Sequence, residues 1–405
     1  MPKCPMHSPP VADVLALGTV TSVGNCGGPQ IPYRGGRIDA TGPGASGVPA
    51  PDTDLATTLS FFANAGFNKV DSIKLTACGH TLGSVHHGGF PTVMDNSTVS
   101  PNNTQGAGHL DSTNAGFDID VVEEYVSGTG QRGGPLVTSF NESSRSDLRL
   151  YESDNNTTMQ SLAKGGTEGF FGTCVDLLGR MLNTVPANVR LTDVVEPMNI
   201  KPVNVTFDID DTGTAILTGV IRYLTTATAP TSLTISAGSA TQKTTALSAQ
   251  GSSIFGITSF YPFTLAFPST SSNDSLPASL TVISEASTSQ TYALEPRLFF
   301  TPSLSSIVPT STVNSSFVNI VAALAPSVSS PVAVIAFPTV QEGTLAPKMM
   351  HQNVTLEVVG TKAGYSLVGG NATLPTGLMR QLSVDIVTMV DGMEVVDAFN
   401  FVPQI

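Results

Sequence analysis

Near residue 200 the hydrophobic period of this chain changes from about 3.6 to 2, and a single layer of structure cannot serve both periods. Ahead of that point Ile73, Ala77 and His80 recur at i, i+4 and i+7, and Phe171, Cys174, Leu178 and Met181 form one helical stripe. Beyond it Val203, Val205, Phe207 and Ile209 alternate, as do Ile216, Thr218, Val220 and Arg222. Strand-sized segments between Gly, Ser, Pro and Asn clusters then continue to Phe401, which predicts an all-β region of one or two β-sandwiches over 201–405. All four Cys and five of the six His precede the change, and 405 residues exceed what one core usually organises. Two separately folding regions are therefore expected, a mainly α region over 1–200 and the β region after it.

Within the first region, Ala12 to Val23 is helix-compatible, and a Gly/Pro-rich loop follows from Asn25 to Gly47. Asp52 or Asp54 can cap a helix carrying Leu55, Leu59 and Phe62, with Gly66 placed to end it. A second helix is predicted over Lys69 to Val85, a long polar loop over Gly88 to Gly116, and further helices over Phe117 to Val126 and Thr167 to Val185.

The net charge of -13 and the lack of any basic run exclude nucleic acid as a partner. No apolar stretch reaches membrane-spanning length, because Val318 to Phe337 is interrupted by Pro326, Ser327, Ser329, Ser330 and Pro331. Ten Asn-x-Ser/Thr sequons begin at Asn96, Asn102, Asn141, Asn155, Asn156, Asn204, Asn273, Asn314, Asn353 and Asn371. Together with low charge and an even number of Cys, they predict a secreted glycoprotein, although Met1 to Pro10 contains no signal-peptide apolar core. Three Cys pairings stay open, and helix order favours Cys4 with Cys26 and Cys78 with Cys174.

The segment TACGHTLGSVH, Thr76 to His86, resembles the proximal helix of haem peroxidases of the plant, fungal and bacterial superfamily. That resemblance implies His80 as the axial iron ligand, with Gly79 and Gly83 letting a flat macrocycle approach. SDLRLY, Ser146 to Tyr151, resembles the segment that holds the Asp hydrogen-bonded to the proximal His, which points to Asp147, with Asp154 nearby as the alternative. DSTNAGFD, Asp111 to Asp118, resembles a proximal calcium loop, in which Thr81, Asp111, Thr113, Gly116 and Asp118 would bind Ca2+ through hard oxygens. CGGPQIPYRGGRIDA, Cys26 to Ala40, and RMLNTVPANVRLTDVVEP, Arg180 to Pro197, resemble flanking segments of a fungal secreted subgroup. The fold so implied is the proximal half of a haem-peroxidase domain.

Such a domain implies haem b and calcium as cofactors, and hydrogen peroxide and a small organic reductant as partners. The family places a distal His and Arg upstream, in a segment like Arg-x-x-Phe-His. Here no Arg precedes Arg34 and only eleven residues precede Ala12, so the resemblance implies an N-terminally truncated domain without distal catalytic residues. No Trp is present to carry a radical. His86 would lie near a haem propionate, and a zinc cluster of His80, His86 and His87 is disfavoured because the three share no helical face. The β-rich region is expected to act as an accessory module with cell-wall association. The alternative is a non-catalytic extracellular scaffold or adhesion protein built on a relic peroxidase domain.

Overall fold

The computed structural model describes residues 10–404 except 43, 45–47, 114, 211, 269–275, 286–287, 310–314, 327, 329–330, 340–347 and 376–381. The chain divides between Pro197 and Met198 into two compact units.

In Ser8–Pro197 the described residues form seven α-helices. Helix α1 (Val11–Asn25) buries Asp13, Ala16, Val20 and Val23 on one face. Helix α2 (Leu55–Asn64) starts at Asp54, whose side chain accepts from Thr57 N, and the chain turns away through Gly66 at φ +88°. Helix α3 (Lys69–Gly79) is capped by Asn68 in the same manner. After α4 (Asp120–Ser127), α5 (Pro135–Thr138) and α6 (Ser146–Tyr151), the long α7 (Thr157–Leu182) bends where Gly166 takes φ +63°. Strand β1 (Ser84–His86) stands where the second helix was expected to end, and it pairs with β2 (Ala107–His109) inside the segment expected to be loop.

Helix α3 ends at Gly79, six residues short of the expected Val85. Gly79 carries a poor helix former to the C-terminus, and Gly83 at φ +98° redirects the backbone into β1. The buried side of α7 is Phe170, Cys174, Leu177 and Leu178, a rotation from the expected stripe that leaves Met181 37% exposed. Cys78 and Cys174 form a disulfide that joins α3 to α7 across the core of Ile73, Ala77, Val121, Val122 and Tyr151. Cys26 is half-buried, and Cys4 lies outside the described residues.

A buried ion pair holds α1 to the loop after it. Asp13 accepts from Gly36 N at 2.8 Å, Arg37 N at 3.2 Å and Arg37 Nη1 at 2.8 Å, and Arg37 Nε and Nη2 donate to Leu182 O at the end of α7. Burial acts to raise the Asp13 pKa, but the Gly36 amide and the Arg37 guanidinium and amide outweigh it and hold the carboxyl below its usual range. A depressed carboxyl stabilises the fold above the unfolded pKa of about 4 and loses that contribution as pH falls. Arg37→Ala is expected to cost about 3 kcal/mol in denaturant unfolding at neutral pH, with a smaller difference from wild type in acid. Equal stability of the two proteins at neutral pH would show that the pair contributes nothing.

Met198–Ile405 consists of antiparallel sheets. One pair comprises Ile200–Ile209, Ala215–Thr225, Gly256–Phe267 and Gln250–Ser253 in one sheet, and Ser289–Ala293, Ser279–Ser284, Ser232–Ala237 and Ala240–Thr245 in the other. Leu217 and Tyr261 from the first sheet share a core with Ile235 and Val282 from the second. The next pair sets Leu298–Phe300, Ser315–Leu324, Tyr365–Pro375 and Glu357–Lys362 against Lys348–Thr355, Val332–Thr339, Ser383–Val390 and Met393–Asn400. Its core holds Ile320, Ala372 and Leu374 with Ile335, Val354 and Ile386.

Candidate functional site

The residue that ends α3 is His80, whose backbone N–H closes on Thr76 O at 2.9 Å while its ring leaves the helix. Its Nδ1 lies 2.5 Å from Asp147 Oδ2 on α6. The two residues are 67 positions apart in the chain, and the packing of α6 near the end of α3 brings them together. Asp147 is 4% exposed, and its other oxygen accepts from Ser146 Oγ at 3.0 Å. Burial alone would lower the His80 pKa, yet the Asp147 charge and hydrogen bond more than reverse that and raise it. The neighbouring candidate, Asp154, instead accepts from Thr158 N and Oγ1 in the first turn of α7.

His80 and Asp147 open onto a cavity of about 430 Å³, in the range of roughly 300–1,000 Å³ usual for cofactor and small-molecule sites. Phe62, Val85, Phe90, Leu136 and Leu150 make its wall largely apolar, with Pro49 and Pro51 beside them. With Nδ1 engaged by the carboxylate, Nε2 is the ring nitrogen left to meet a group in the cavity. An apolar wall, one available imidazole nitrogen and a buried carboxylate behind it fit one face of an iron porphyrin.

The loop that includes Asp111, Thr113, Gly116 and Asp118 gathers oxygen atoms near His80. Thr81, fully buried, donates to Asp118 O at 2.7 Å and accepts from Asp118 N at 3.1 Å. Thr113 Oγ1 lies 2.7 Å from Asp118 Oδ2, 3.3 Å from Asp120 Oδ2 and 3.5 Å from Asp111 Oδ1. Gly116 N donates to Thr113 O at 2.6 Å and so closes the turn. Asp111 Oδ2 is buried with no hydrogen-bond partner. Burial, reinforced by the charges of Asp118, Glu124 and Asp120, pushes Asp111 up to about 6 despite the Thr113 amide. An orphaned buried carboxylate oxygen among hard oxygen donors fits a divalent cation such as calcium. Asp120 was not anticipated from sequence, where the Asp-x-Asp spacing after Phe117 was its only signal. Glu124 is a structural clamp on Ser112 N and Gln131 N.

His86 and His87 make contacts of their own. His86 Nε2 meets Ser84 Oγ at 3.2 Å with its buried Nδ1 unpartnered, and His87 Nδ1 donates to Met94 O at 2.8 Å. Among the described residues no three His, Cys, Asp or Glu side chains are grouped to hold a metal by themselves.

Residues 3–164 match the peroxidase family model. The chain is 38% identical over 226 residues to a WSC domain-containing protein of Arthroderma benhamiae, covering 55% of this chain and 30% of that protein. It is 34% identical over 96 residues to cytosolic L-ascorbate peroxidase 2 of Arabidopsis thaliana, covering 21% of this chain and 38% of that one. To Peroxidase 44 of the same plant it is 29% identical over 92 residues, 22% of this chain and 30% of the relative. It thus spans less than two fifths of each of these relatives. These likenesses support a member of the peroxidase superfamily, a family that generally binds haem, with a helical region followed by antiparallel sheets. Among the described residues no helix is long and apolar enough to cross a membrane.

Proposed function

We propose that the helical unit is the proximal part of a haem peroxidase domain of the secreted fungal type, with haem b held by His80 Nε2, and that the β region is its accessory, wall-associated module. The observation that carries this reading is the His80–Asp147 hydrogen bond at the mouth of an apolar cavity. When bound there, haem supplies the iron chemistry that reduces hydrogen peroxide and oxidises small organic donors. Asp147 accepts the Nδ1 proton, fixes the tautomer that presents Nε2, and makes the imidazole more basic. Ser146 holds the second carboxylate oxygen and so fixes the plane in which Asp147 meets the ring. Phe62, Phe90 and Leu136 give the cavity an apolar wall beside the ring.

Among the described residues, His80 and Asp147 are the titratable groups lining the cavity, and each engages the other. Proton movement between the two peroxide oxygens, which is worth about 10² to 10⁴ in rate, therefore depends on groups beyond this lining. In this reading His80 and Asp147 hold and tune haem. Titration of the haem-free protein with haemin should give a shifted absorption band that saturates at one haem per chain. A spectrum identical to that of free haemin at every ratio would remove the assignment.

The loop binds calcium in the same reading, through Thr81, Asp111, Thr113, Gly116 O and Asp118, with Asp120 beside them. A chelator is expected to lower the melting temperature of the helical unit by about 5 °C, as loss of a ligand that binds only the folded state requires. Asp118→Ala should start at the lower temperature and no longer respond. An Asp118→Ala protein that responds as wild type does would count against the loop. Secretion with glycosylation completes the proposal, on the strength of the sequons and the disulfide.

A further inference from the structure

On a strand, an Asn-x-Thr sequon places Asn and Thr on one side and the middle residue on the other. Two sequons meet that condition in the last pair of sheets. Val354 and Ala372 are buried in the shared core, while Asn353, Thr355, Asn371 and Thr373 are exposed. Lys348–Thr355 and Tyr365–Pro375 belong to the two sheets that enclose that core, so the two Asn side chains stand on its opposite outer faces.

Apolar side chains flank both positions. Val334 pairs with Asn353 and Val332 with Thr355, and both valines are only half-buried on the outward side. Phe317, 38% exposed, pairs with Thr373, and Val359, 62% exposed, leans over Gly369 two residues before Asn371. Outward apolar groups of this kind in a sheet call for a covering.

We propose that Asn353 and Asn371 carry N-linked glycans that cover the two outer faces of the C-terminal pair of sheets, an inference that rests on the secretory reading above. In the transfer a C–N bond forms between the Asn side-chain nitrogen and the anomeric carbon of a lipid-pyrophosphate-linked oligosaccharide. The anomeric C–O bond breaks, the pyrophosphate lipid leaves, and the amide gives up one proton. Asn156 is the contrasting case, since its Oδ1 accepts from the Tyr125 hydroxyl at 2.6 Å and the residue is half-buried. In the overlapping pair of sequons the exposed Asn155 is the acceptor and Asn156 stays bare. Asn273 and Asn314 lie outside the described residues.

The test uses the full chain, secreted from a fungal host behind a secretory leader and mapped by peptide mass spectrometry. Glycan mass is expected on the peptides containing Asn353 and Asn371 and not on Asn156. Thr355→Ala and Thr373→Ala change exposed positions, so each should lose one glycan and keep the fold. The double variant should bind about twofold more of a dye that reports exposed apolar surface. Glycans at other sequons with Asn353 and Asn371 bare would overturn this proposal and leave secretion standing. A chain with no glycan anywhere would overturn both. Unchanged dye binding in the double variant would overturn the covering role.

Discussion

A His80→Ala protein titrated with haemin is expected to retain the spectrum of free haemin, with affinity at least about 100-fold below wild type. The size follows from the geometry: Nε2 of His80 is the nitrogen donor that the cavity wall offers, and the other lining side chains are apolar or hydroxylic apart from Asp147. Asp147→Asn tests the support separately. It keeps the imidazole but replaces a charged acceptor by an amide, and loss of such a partner typically costs about 10- to 100-fold in metal affinity. Asp154→Ala serves as the control, because Asp154 accepts from Thr158 in the first turn of α7 and its loss should lower stability by about 1 kcal/mol without altering the haemin spectrum. Wild-type spectra from both His80→Ala and Asp147→Asn would leave the cavity without a role in haem binding.

The second large effect is expected from the Cys78–Cys174 bond. It joins positions 96 residues apart, and closing a loop of about 100 residues stabilises a fold by up to about 4.7 kcal/mol in the chain-entropy account. Both sulfurs are buried, so the Cys78→Ala, Cys174→Ala double variant also loses some packing in the core. The helical circular-dichroism signal, which comes from Ser8–Pro197, should melt about 10 °C lower than in wild type. Cys78 lies two residues before His80, so the double variant should also bind haemin less tightly. A melting temperature within about 2 °C of wild type would mean that helix packing alone holds α3 on α7.

Much of this architecture can be read from the sequence, because α2 opens on a capping Asp54 and is followed by Gly66, and the strands after residue 200 alternate between turn residues. The errors cluster where backbone geometry outweighs side-chain pattern. Ile73, Ala77 and His80 keep helical spacing, but that spacing says nothing of the stop imposed by Gly79 and the left-handed turn at Gly83. The pairing of Ser84–His86 with Ala107–His109 joins two three-residue strands that a polar loop conceals, since their side chains have no period to detect. In α7 both Phe170 and Phe171, and both Leu177 and Leu178, are apolar, so periodicity alone leaves two neighbouring stripes open, and packing buries the one through Phe170, Cys174 and Leu177 while Met181 stays 37% exposed. Contacts such as His80–Asp147 and Thr81–Asp118 span 67 and 37 residues. Spacing gives no hint of either, and both were approached through resemblance of short segments. An acid in the first turn of a helix, as Asp120 is, has an ordinary explanation in the helix dipole, so its position alone does not mark it as part of the loop.

Thr81 clasps the backbone of Asp118 in both directions, donating to its carbonyl and accepting from its amide, and one peptide bond separates it from His80. A cation gripped by the loop and a macrocycle gripped by the imidazole would therefore draw on the same few atoms. By reciprocity, whatever factor the first occupant adds to the affinity of the second is returned in full when the order of arrival is reversed.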